Sequence, residues 1–73
     1  MRKYAIVIEQ GEHNLSAYVP DLPGCIAAGD TLEQTSQLML EAIEFHLAGM
    51  REDGDAIPEP TTVAAMVPVG SAA

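Results

Sequence analysis

Two histidines, one cysteine and eleven carboxylates are the obvious side chains of this 73-residue chain for moving a proton, holding a metal or attacking a substrate. His13 falls in the turn-forming run Gly11-Glu12-His13-Asn14, where a histidine is ordinarily a solvated residue. His46 falls on the flank of a predicted helix. No HxH, HxxxH or HExxH spacing occurs, so the two do not make a first-row metal site. Cys25 sits in an apolar run with no Lys, Arg or His beside it, and lacks the neighbours that would make its thiolate reactive. A small buried hydrophobe is the expected role. Glu9, Asp21 and Asp30 fall near the ends of predicted elements, and acids converging at one end of a sheet could hold Mg²⁺ for a nuclease. Asp30 already serves as a helix-cap residue and Asp21 as a turn residue, and the bases that would grip a phosphate backbone are missing. Neither GxGxxG nor GxxxxGK is present. The residues therefore predict no catalytic centre, metal or cofactor. The weaker alternative is a residual metal-dependent nuclease using Glu9, Asp21 or Asp30.

Recognition is the chemistry that remains. Eleven acids face only Arg2, Lys3 and Arg51, for a formal charge of −8. Such a surface repels nucleic acid, whose binding needs clustered Lys and Arg, and it disfavours anionic membranes for the same reason. It steers a basic macromolecule. The apolar run after Met1-Arg2-Lys3 extends only from Tyr4 to Ile8, short of a signal peptide or a membrane span. With one thiol, the chain is expected in a reducing cytoplasm.

The length allows one domain, residues 1–70, with 71–73 as a frayed tail. A chain of this size buries only about 60% of its unfolded surface. A single cysteine offers no disulfide, so self-association is the expected supplement. Tyr4–Glu9 reads as a strand apolar on nearly both faces, hence central in a sheet. Leu15–Val19 alternates, with Leu15, Ala17 and Val19 on one side. Pro20-Asp21-Leu22-Pro23-Gly24 interrupts pairing, and Cys25–Ala28 is a third short strand.

A helix follows, opened by a capping box of Thr31 with Gln34 or of Asp30 with Glu33, and ending near Gly54. Leu32, Met39, Leu40, Ile43, Leu47 and Met50 share its apolar face. Glu33, Gln37, Glu41 and Glu44 form an acidic stripe opposite, predicted to meet a basic partner. Leu38, Ala42, Phe45 and Gly49 form a second stripe, predicted to be a contact between copies: pairing of free sheet edges is expected to give a dimer, and the stripe to join two such dimers into a tetramer. Ile57-Pro58-Glu59-Pro60 cannot be helical, and Thr61–Val67, with Val63, Ala65 and Val67 on one side, reads as a fourth strand. The predicted fold is α+β, in the order β-β-β-α-β, one helix on a small mostly antiparallel sheet.

The run Val19-Pro20-Asp21-Leu22-Pro23-Gly24-Cys25, then Ala28-Gly29-Asp30-Thr31-Leu32-Glu33, resembles the signature of HicB antitoxins. The strand Tyr4–Glu9 and the block Ile57-Pro58-Glu59-Pro60 fit the same family, so the resemblance covers residues 3 to 67. It implies a truncated ribonuclease H-like core without catalysis. It also implies, as partner, HicA, a small basic mRNA interferase whose catalytic region the antitoxin covers. Many such proteins continue into a DNA-binding domain near where this sequence stops, so no direct contact with nucleic acid is expected. An orphan structural or ligand-sensing oligomer is the other alternative.

Overall fold

The computed structural model describes residues 2–70. It contains strands β1 (Val7–Gln10), β2 (Leu15–Tyr18) and β3 (Ile26–Gly29), followed by one helix, α1 (Leu32–Asp53). The strands form an antiparallel meander in the order β1-β2-β3. Cross-strand partners share a face of a sheet. Ile8, Ala17 and Ala27 are in register on one face, and Val7, Tyr18 and Ile26 on the other. The first face carries the helix. Ala17, Val19, Leu22, Cys25 and Met39 are buried together there, with Ile6, Ile8, Ala27, Ile43 and Leu47 packed around them. The second face is open, and Ile26 on it is 70% exposed.

The helix begins at Thr31, whose extended backbone lets its side-chain oxygen accept from the Gln34 N–H at 3.0 Å. Gln34 reaches back and accepts the Asp30 N–H at 2.7 Å. Of the two possible pairings, Thr31 with Gln34 is the one used, as a variant of the capping box in which the returning bond goes to the N–H one residue before the cap. At the other end, Gly54 adopts φ 75°. Its N–H donates to the Arg51 carbonyl, and the Asp55 N–H to that of Met50. This pair of bonds closes the helix with a left-handed residue that glycine adopts without strain.

The buried face of α1 centres on Thr35 and Met39, both 0% exposed. Two residues assigned by periodicity to that face, Leu32 and Leu40, are instead exposed. Leu40 stands about 100° round the helix from Met39, and a sheet of three short strands does not extend far enough to cover it. Ala42 moves the other way, packing against the core. Thr35 seats close over β3: a Cβ on Gly29 would lie 2.7 Å from its Oγ1. That hydroxyl is satisfied, donating to the Thr31 carbonyl at 2.7 Å.

Two strand expectations are corrected. Among the described residues the first strand is an edge, paired only with β2, because the fourth strand that would flank it does not form. Residues 55–70 are irregular. Pro58, Pro60 and Pro68 have no N–H to offer a ladder. The Thr61 and Thr62 N–H groups, which would begin one, are both taken at 3.0 Å by the Asp21 carboxylate. The expected frayed tail, 71–73, lies outside the described residues.

Candidate functional site

The acids and histidines considered for chemistry are dispersed. His13 is exposed in the β1–β2 turn and His46 half-buried on α1. Among the described residues no group of three or more His, Cys, Asp or Glu is close enough together to hold a metal ion. Glu9, Asp21 and Asp30 are thus not brought into one cluster. Asp21 has a different role. Its Oδ2 accepts the Thr61 and Thr62 N–H groups, and its Oδ1 accepts the two threonine hydroxyls at 3.1 and 2.7 Å. Bonds donated to the ionised form hold its pKa below the ordinary value, those from Thr62 foremost. The spacing of 40 residues between Asp21 and Thr61 gives no local signal of this clamp.

The rest of the Pro20–Cys25 loop is equally structural. Leu22 is 1% exposed, plugging the core. The loop is folded by bonds from the Leu22 N–H to the Val19 carbonyl and from the Cys25 N–H to that of Leu22, both 3.1 Å. Gly24, at φ 83°, supplies the left-handed turn. Cys25 is buried, and desolvation raises its thiol pKa. A thiol so placed packs as a hydrophobe.

The acidic stripe is different. Glu33, Gln37, Glu41 and Glu44 are all exposed on α1, on the side away from the sheet. Gln37 Nε2 donates to Glu41 Oε2 at 3.2 Å. The one ion pair among the described residues joins Arg2 to Glu59, so the stripe's carboxylates carry no cation of their own. The neighbouring stripe divides. Phe45 is 83% exposed with Leu38 and Gly49 half-buried, while Ala42 belongs to the core edge. An apolar groove lies on the opposite flank. There Leu40, Ile43 and Leu47 floor a groove of about 450 Å³ rimmed by Arg2, Tyr4, Glu44 and Arg51. No helix among the described residues is long and apolar enough to cross a membrane.

A model of the HicB_like antitoxin of bacterial toxin-antitoxin systems matches residues 4–69. A 14.9 kDa protein of the rep-hol intergenic region of Haemophilus phage HP1 is 42% identical over 60 residues, 82% of this chain. UPF0150 proteins of Helicobacter pylori and Archaeoglobus fulgidus are 38% and 40% identical over 64% and 75% of it. The matched segment spans 45% of the phage protein, 65% of the Helicobacter protein and 84% of the Archaeoglobus protein. A chain of the HicA3 and HicB3 toxin-antitoxin complex superposes with TM-score 0.71 and 30% identity, covering 82% of this chain and 70% of that one.

Proposed function

Since the chain belongs to the HicB_like antitoxin family of bacterial toxin-antitoxin systems, we propose that it binds and neutralises a basic HicA-type mRNA interferase and has no catalysis of its own. The carrying observation is the exposed stripe Glu33, Gln37, Glu41 and Glu44. It presents uncompensated carboxylates on one rigid helix face, the complement of a basic surface. The structural likeness to a toxin-antitoxin complex supports the same pairing. Covering a ribonuclease's basic surface blocks its access to RNA, so neutralisation needs no chemistry from the antitoxin. The encounter takes place in the cytoplasm, where the toxin meets mRNA.

Self-association through the apolar stripe presents two acidic faces at once. Leu38, Phe45 and Gly49 supply this contact, with Ala42 at its inner margin. The stripe lies along the helix beside the acids, and a large aromatic side chain stands almost free there.

RNA cleavage by a HicA-type ribonuclease, measured with increasing amounts of this protein, tests the proposal. Cleavage should fall to zero near stoichiometric addition, while the protein alone cleaves nothing in Mg²⁺ or Mn²⁺. Undiminished cleavage would remove the antitoxin reading. Cleavage by the protein alone that an Asp21→Asn variant lacks would replace it with a nuclease.

A further inference from the structure

Residues 60–70 contain no charged side chain in a chain of net charge −8. Beyond the Asp21 clamp this segment leaves the packed body: Val63 is 88% and Met66 97% exposed, and Val67 and Val69 are nearly as free. The molecule is correspondingly long, with extents of 52 × 27 × 19 Å. Its radius of gyration is 14.5 Å, against about 11 Å for a compact domain of this length. Its surface area of 5639 Å² exceeds the roughly 4,300 Å² of a compact monomer of this mass by roughly 1,300 Å². A standard interface covers about 800 Å² on each partner.

The surface able to receive such an arm is on the sheet. Ser16, Tyr18, Ile26 and Ala28, with the stretches of β2 and β3 at Ala17 and Ala27 between them, line an apolar hollow of about 320 Å³ on the open face. It runs out to β3, whose outer edge has no strand beside it. Edges of this kind accept an added strand. The β3 edge, Ile26-Ala27-Ala28-Gly29, is uncharged and small, whereas the β1 edge carries Glu9 and follows Arg2 and Lys3. Between two copies of so acidic a molecule, neutral surfaces are the ones that meet without repulsion. Arm and hollow are both of this kind.

We propose that two copies exchange arms: Val63–Val67 of each chain adds to the β3 edge of the other, with Val63, Ala65 and Val67 covering Ile26 and the hollow beside it. A two-fold arrangement satisfies both arms and closes, so no fibre propagates. Pro60 and Pro68 bracket the added strand and limit its length. From Val63 to Gly70 an extended chain reaches about 26 Å, ample to lie along a four-residue edge. This contact uses neither the acidic stripe nor the helix stripe, so its failure would leave the toxin proposal untouched.

Sedimentation equilibrium in a Phe45→Ala background, where the helix contact is removed, tests it. That chain should sediment as a dimer. Ile26→Glu in the hollow, or Val63→Ser with Val67→Ser in the arm, should each convert it to a monomer with unchanged circular dichroism. Both sites are exposed, and the arm lies outside the packed core, so the arm variant decides the matter even if Ile26→Glu perturbs the sheet. An equimolar mixture of the two variants should regain dimer, because one intact arm then meets one intact hollow. A monomeric Phe45→Ala chain, a dimer surviving the arm substitutions, or a mixture that recovers no dimer would overturn the exchange.

Discussion

Asp21 shows most directly how a residue type that permits chemistry can be committed to structure. A carboxylate in a Pro-Asp turn reads equally well as a metal ligand. In the fold, all its bonds go to Thr61 and Thr62. Its lowered pKa fixes the sign of the pH dependence. The clamp stabilises the folded state fully above the ordinary carboxylate range near 4 and loses that contribution as pH falls through the lowered folded value. An NMR titration following the Thr61 and Thr62 amides should therefore show a midpoint below about 4. A midpoint at or above that value would contradict the clamp. Asp21→Asn, left with one acceptor oxygen, should abolish the titration. Gly29 makes an independent test of packing. Gly29→Ala forces a Cβ to 2.7 Å from Thr35 Oγ1, and overpacking of this kind costs about 1–3 kcal/mol. Urea unfolding should show that loss, and an unchanged midpoint would mean that helix and sheet separate more readily than their packing suggests.

At the scale of elements, local pattern was a sufficient guide wherever the partner is local. The hairpin, the third strand, the Thr31/Gln34 cap and the Gly54 stop each follow from residues within a few positions of one another. Long-range competition decided the rest. Thr61–Val67 has a strand's alternation, yet Asp21 removes its first two donors, and β1 is left as an edge. Thr35 is fully buried because it faces Gly29 at the close approach of helix and strand. Its polar side chain gave no apolar signal. The acidic stripe was legible for the converse reason, since an exposed helix face needs only the 3.6-residue period. Phe45 belongs to the same face logic. Being 83% exposed, it should contribute little to the fold, so Phe45→Ala should shift stability by less than about 0.5 kcal/mol while reducing the sedimenting mass. A stability loss of several kcal/mol would place the ring in the core instead.

For the whole molecule, charge and shape act together. A small body carrying −8 presents three of its eleven carboxylates, Glu33, Glu41 and Glu44, along one side of a 22-residue helix and has uncharged surfaces elsewhere. On the proposed reading, long-range attraction to a basic toxin comes from the first, and contacts between copies from the second. Exposed ion pairs contribute only about 0–1 kcal/mol each, so the stripe should govern the rate of encounter more than the final affinity. The most direct test is the association rate with a HicA-type toxin, measured by stopped flow from low to high salt, for the parent and for Glu41→Gln with Glu44→Gln. The parent rate should fall steeply with salt, and the double variant should associate more slowly at low salt with a flatter dependence. Identical slopes for the two proteins would contradict recognition through the acidic face of the helix.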